Sequence, residues 1–309
     1  MNMHNMIRNF PVFISCAAFA GLFAAVIPHA AAADRPPLFS DDFTGVSTNG
    51  SDTTQSLNDY GWYFRNSNAA GTTWTVVDKP AASTTQSGKV LRNPASGAAN
   101  TSAMKQFDAV TLSSVGDFIS VSFDVFSGVT DGTKQLQVGF FDLGTKLDAN
   151  LLPGDDPVAG KTGYAYGQGF TTDRGTYALK SGASNVTGST GGTGTIEGAL
   201  FTASADHKLT FTLTMTAAGL ELATIFDDRS MSSYTLESLA GGSITVDTLW
   251  LLTGGVASTV NFDNITVTTN TSPVPEPATV AMFLGAAVLA TAFIASRRRR
   301  SHGQAGVVA

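Results

Sequence analysis

A two-residue alternation limits what this chain can fold into. Residues 208–216 read KLTFTLTMT, which sets Leu209, Phe211, Leu213 and Met215 on one side and Thr210, Thr212, Thr214 and Thr216 on the other. That period is the mark of a strand with one buried and one solvated face. AAG then turns the chain and LELATIF returns, which predicts a hairpin. DFISVSFDVFSG alternates as cleanly, with Ile119, Val121, Phe123 and Val125 forming an apolar face. KQLQVGFFDLG, GSITVDTLWLLTGG and STVNFDNITVTT predict further strands, and GYAYGQGF and RGTYALKSG weaker ones. No stretch between the two chain ends carries a long 3.6-residue period. Roughly a dozen turn-separated strands predict an all-β fold, an antiparallel jelly-roll β-sandwich over residues 34–270.

The two ends read differently. Residues 1–33 have a basic start at Arg8, an apolar run from Phe10 to Ile27 and small residues before Asp34, the pattern of a signal peptide cleaved after Ala33. The only cysteine, Cys16, lies inside that segment, so the exported portion has no disulfide, thiolate metal site or cysteine nucleophile. At the other end, residues 278–296 are uncharged and apolar. At about 1.5 Å per residue they reach the thickness of a hydrocarbon core as a transmembrane helix. Arg297, Arg298, Arg299 and Arg300 follow at once and hold that end in the cytoplasm. Pro275 and Pro277 keep the preceding segment extended and accessible to a protease.

The order Val274-Pro275-Glu276-Pro277, apolar helix, arginine cluster resembles the PEP-CTERM sorting signal of Gram-negative bacteria. The resemblance covers residues 271–309. It implies that signal peptidase and then an exosortase process the chain, that the inner membrane holds it transiently, and that it ends at the cell surface or in the extracellular matrix, often beside exopolysaccharide. One departure is the SHGQAGVVA extension beyond the arginines. The alternative is a plain single-span anchor. Between the ends, the opening DDF, Trp62, Trp74, the TLTMTAAGLELATIFDD hairpin and the closing FDNITV resemble concanavalin A-like and laminin G-like jelly rolls, with the galactose-binding-like jelly roll as a rival. In such folds the first and last strands lie together.

Charge narrows the partners. Residues 34–270 keep 13 Lys and Arg against 23 Asp and Glu, a formal charge near −10. That balance opposes nucleic-acid binding, which needs a basic footprint. It suits divalent cations. Calcium takes six to eight oxygens, and Asp41 or Asp42 with Asp263 and Asn264 supply several if first and last strands pair; LPGDDPVAG is a second acidic loop. The competing reading is that these residues merely end strands.

Sugar binding uses an exposed aromatic ring ringed by polar groups. The candidates are Trp62, Tyr63, Trp74, Tyr164 and Tyr166, and GYAYGQGF places Tyr164 and Tyr166 among glycines. The polar run SGASNVTGSTGGTGT reads as a loop. No catalytic constellation is legible. His207 is the one histidine outside the end segments, and Glu197, Glu221 and Glu237 are scattered rather than paired for glycoside hydrolysis. The leading expectation is an exported matrix protein with a structural or adhesive, exopolysaccharide-associated role. The alternative is a carbohydrate-binding lectin, and behind it a glycan hydrolase.

Overall fold

The computed structural model describes residues 35–46, 57–65, 74–95, 100–130, 135–150, 158–170, 174–180, 193–195, 201–254, 256 and 258–271. The expected signal peptide, the 274–277 motif, the 278–296 span and the arginines at 297–300 lie outside them. So does most of the polar run at 181–195. Among the described residues no helix is long and apolar enough to cross a membrane.

The strands, numbered in chain order, form two antiparallel sheets. One runs β13 (Arg229–Ser230), β12 (Gly219–Phe226), β11 (Asp206–Thr216), β6 (Phe118–Ser127), β16 (Val260–Thr269), β4 (Lys89–Arg92), β3 (Thr75–Asp78). β1 (Phe39–Asp41) adds to β16 and β14 (Tyr234–Leu236) to β12, making nine strands. The seven-stranded sheet runs β10 (Thr193–Thr195), β9 (Arg174–Lys180), β8 (Thr162–Gly169), β7 (Gln135–Asp142), β15 (Ile244–Gly254), β5 (Asn100–Leu112), β2 (Trp62–Arg65).

Alternation decides which face each residue takes. Ile119, Val121, Phe123 and Val125 of β6 point inward, as do Leu209, Phe211, Leu213 and Met215 of β11, all essentially buried. They meet Leu136, Val138 and Phe140 of β7 from the other sheet, and the Phe140 and Phe211 rings stack at 6.0 Å. Phe64 stacks on Trp74 at 6.1 Å, and Trp74 packs on Phe262 at 5.8 Å, carrying the contact from one sheet to the other. Each such side chain taken out of water contributes roughly 1.5–3 kcal/mol. A β-sandwich with no disulfide rests on that sum.

First and last strands do pair. β1 lies antiparallel on β16 with Phe39 opposite Val267 and Asp41 opposite Ile265. A buried polar contact then ties β1 to the other sheet. Lys105 Nζ of β5 sits 2.5 Å from Asp41 Oδ2, and Trp62 Nε1 donates to the same oxygen at 2.8 Å. Lys105 also donates to the Tyr60 carbonyl at 2.9 Å and lies 4.8 Å from the Phe39 ring centre. Both charged side chains are largely buried, so neither can turn to water if the other is lost. Removing one partner of such a pair costs about 3–5 kcal/mol, whereas removing both leaves no stranded charge. Urea unfolding should therefore show Asp41→Ala and Lys105→Ala each destabilised by roughly that amount, and the double variant should lose little more than either single one.

Candidate functional site

The expected cation ligands separate. Asp41 is spent on Lys105 and Trp62. Asp42 Oδ1 accepts from the Thr44 N–H at 3.0 Å and the Thr44 hydroxyl at 2.8 Å, and the backbone bond first, then the hydroxyl, hold its carboxyl below the usual range. Asp263 and Asn264 sit at a bulge where β16 shifts register against β6, and Asn264 carries a positive φ of 54°. The Ser87 N–H donates to Asp263 Oδ2 and the Asn264 N–H to Oδ1, both at 2.8 Å. Asn264 Nδ2 donates to Asp124 Oδ2 at 2.7 Å. Asp124, which the sequence reading missed, stands directly opposite Asp263 across the β6–β16 pair. The signal was available: both residues fall on the parity that faces away from the core on adjoining strands.

Among the described residues no three His, Cys, Asp or Glu side chains converge closely enough to hold a metal ion. What the geometry displays is a loop anchor, with Asp263 pinning Ser87 to the face of the nine-stranded sheet. The anchor is electrostatically costly. Asp263 is fully buried, and burial pushes its carboxyl up to about 6; the Asp124 and Asp42 carboxylates push the same way against its two N–H bonds. The folded chain thus takes up this proton before the unfolded chain does. The stability it contributes is complete below the ordinary carboxyl value near 3.8 and is lost as pH rises through about 6. Lys208, opposite Asp124 on β11, is the cation of that row. Asp124→Asn keeps an acceptor for Asn264 and removes the like charge. Thermal melts at pH 7 should show it stabilised by up to about 1 kcal/mol, with a smaller loss of stability between pH 4 and 7 than the parent.

The aromatic candidates divide as well. Trp62 and Trp74 are wholly buried, and Tyr164 and Tyr166 are at most 3 % exposed. GYAYGQGF is not a surface segment. It forms β8, inside the seven-stranded sheet between β7 and β9, and its two tyrosines take the inward parity. Tyr166 reaches Gln168 Oε1 at 2.8 Å and packs on Tyr177, with ring centres 5.3 Å apart. Burial raises the Tyr164 hydroxyl to about 12 and Tyr166 further still. Trp62, Tyr164 and Tyr166 therefore belong to the core, and the expectation that they stack on a ligand is corrected. Tyr63 takes the outward parity of β2 and is half-buried.

His207 is the second residue of β11, with its ring against Phe226 and Phe201. Its Nε2 accepts the Thr202 N–H at 2.8 Å, so Nδ1 carries the proton to Asp227 Oδ2 at 2.7 Å. Both ring nitrogens are thereby engaged in holding the fold.

The outer face of the seven-stranded sheet holds what the sequence reading did not find. Strand register lines up Arg65, Ser102, Leu252, Gln137 and Gly167 across five strands. The next row is Tyr63, Met104, Trp250, Gly139 and Ala165. Beyond it, Phe141 lies flat on Gly163, where an added Cβ would stand 2.1 Å from the ring. Met104, Phe141, Trp250 and Leu252 form a second apolar cluster, covered by Leu143, Leu147 and Val158. Asp247 starts that cover by accepting the Leu143 and Gly144 N–H groups at 2.9 Å each.

Arg65 Nε, Ser102 Oγ and Gln137 Oε1 are each buried and have no hydrogen-bond partner. An unpaired buried polar group costs about 1–3 kcal/mol, and native folds keep few of them. The other such atoms among the described residues are Asn58 Oδ1, Trp74 Nε1, Gln86 Oε1, Tyr177 Oη and Thr224 Oγ1, none of them on this register row. Three on one register row, next to an outward tyrosine, make the row the candidate site. It was illegible in sequence because it is assembled from β2, β5 and β7, which register alone brings side by side.

The chain is similar in its two-sheet sandwich to solved lectin-type structures. The potassium-bound carbohydrate recognition domain of Emp46p matches at 11 % identity over 74 % of this chain and 98 % of that one, with a TM-score of 0.43. A Bacillus subtilis protein of unknown function with a galectin-like fold matches at 9 % identity over 76 % and 96 %, with a TM-score of 0.47. Lectin UEA-II complexed with galactose matches at 10 % identity over 68 % and 93 %, with a TM-score of 0.41. These likenesses concern architecture. No protein-family model matches the chain, and no curated protein matches it by sequence.

Proposed function

We propose that this chain is a carbohydrate-binding β-sandwich module that works outside the cytoplasm, with the row from Arg65 to Gly167 on the outer side of the seven-stranded sheet as its binding site. The observation that carries the reading is the row of unpaired buried polar atoms Arg65 Nε, Ser102 Oγ and Gln137 Oε1 beside the outward Tyr63. Sugar hydroxyls both donate and accept, so one ring can satisfy a hydroxyl, an amide oxygen and a guanidinium N–H together. An aromatic ring beside a few placed polar groups is the make-up of a small-ligand site. Among the described residues no pair of carboxylates flanks this row, which favours binding over hydrolysis.

The test is affinity electrophoresis of the purified protein through gels carrying a panel of polysaccharides, including the exopolysaccharide of the host. Gln137→Ala and Tyr63→Ala should each weaken retention by roughly tenfold, the equivalent of about 1.4 kcal/mol, with melting temperatures unchanged. Retention by none of the panel, or retention untouched by either change, would contradict the reading.

Delivery is the second part of the proposal. The Val274-Pro275-Glu276-Pro277 motif and its tail act as an exosortase address, with the inner membrane as a transient anchor, and leave the module at the cell surface or in the matrix. Mass spectrometry of the protein from host surface and medium fractions should find a C-terminus between Val274 and Pro277. A chain ending at Ala309 and confined to membranes would make the tail a permanent anchor instead.

A further inference from the structure

We infer that the ligand of the outer face is an acidic polysaccharide, a chain of carboxylate-bearing sugars, and that Arg65 makes the carboxylate contact. The inference rests on the carbohydrate-binding reading above and adds its charge. Arg65 stands at the end of the row on β2, opposite Ser102, and its Nε is buried without a hydrogen-bond acceptor. None of the ion pairs among the described residues includes Arg65. A guanidinium stays charged at every physiological pH, so burying part of it unpaired is costlier than burying a neutral amide. Its planar fork fits a carboxylate through two parallel N–H bonds, which a sugar hydroxyl cannot reproduce.

The surroundings point the same way. The register row running from Arg65 through Ser102, Leu252 and Gln137 to Gly167 holds no Asp or Glu, although the chain as a whole carries a net charge of −6. The net negative charge of the chain opposes a polyanion overall, and along this row the polyanion meets no like charge. Ser102 Oγ and Gln137 Oε1, further along the row, are left for the hydroxyls of the same sugar or its neighbour. An uncharged glycan can offer the guanidinium a hydroxyl oxygen, but neither the opposite charge nor the paired acceptors of a carboxylate.

Isothermal titration of the purified protein compares polygalacturonate with the same polymer after reduction of its carboxyl groups, and with a sulfated neutral glycan. Wild type should bind polygalacturonate at least about tenfold more tightly than the reduced polymer. Raised salt should shrink that preference. Arg65→Gln should abolish the preference while leaving weak binding to the reduced polymer. Arg65→Lys, which keeps the charge but not the fork, should retain part of it. Ser102→Ala should weaken both polymers alike, which separates loss of charge recognition from loss of the site, and melting curves of each variant confirm folding. Equal affinity for acidic and reduced polymers, an unchanged Arg65→Gln, or a preference for the sulfated glycan would overturn the inference while leaving carbohydrate binding standing. Binding to none of the polymers tested, acidic or neutral, would count against carbohydrate binding as well.

Discussion

Strand parity is the constraint on which the rest of this molecule depends. Once Val138 and Phe140 turn inward to meet Phe211, Gln137, Gly139 and Phe141 must turn outward, because successive side chains of a strand point to opposite faces. The same rule sends Phe64 into the core and leaves Arg65 outside it, and sends Ala103 in and Ser102 out. A shift of one residue in any of these strands would bury its polar set and expose its apolar one. The core therefore sets the candidate site as firmly as it sets the fold. The outward row is what remains when the inward positions have been filled.

Parity was legible in sequence wherever polar and apolar residues alternate. β6 and β11 follow their expected faces residue by residue, and the first and last strands pair as the resemblance to jelly rolls implies. It was illegible where both faces of a strand are covered. β8 reads as aromatics among glycines, and glycine gives no polarity signal. Gly163 faces Phe141, and an added Cβ at Gly175 would stand 2.2 Å from the Tyr166 ring, so these glycines are seats for aromatic rings rather than marks of an exposed loop. The second apolar cluster explains the rest: β7 and β15 read as nearly continuous apolar runs because Phe141 and Trp250 are covered on the outer face while Phe140 and Leu249 fill the core.

Polar side chains in this fold serve first as ties. Asp41 joins the first strand to Lys105 of the opposite sheet, Asp263 pins the Ser87 loop, and Asp206 gathers Ser83, Thr84 and Thr85. Asn93 accepts the Val260 N–H at 2.6 Å and donates to Thr253 at 3.2 Å, a link from the segment after β4 to β15. Residues that looked like calcium ligands are thus occupied in a chain that has no disulfide to close its loops. Against that background of paired groups, Arg65 Nε, Ser102 Oγ and Gln137 Oε1 share one register row and have no hydrogen-bond partner in the fold.

The central claim is that the outer face of the seven-stranded sheet, and no other surface, receives the glycan. Amide hydrogen exchange of the protein with and without a saturating acidic polysaccharide tests it most directly. The account predicts added protection confined to β2, β5, β7 and β15, around Arg65, Ser102, Gln137 and Leu252. Protection centred instead on the hydroxyl-lined outer face of β6, β11 and β16, or spread evenly over the chain, would contradict it.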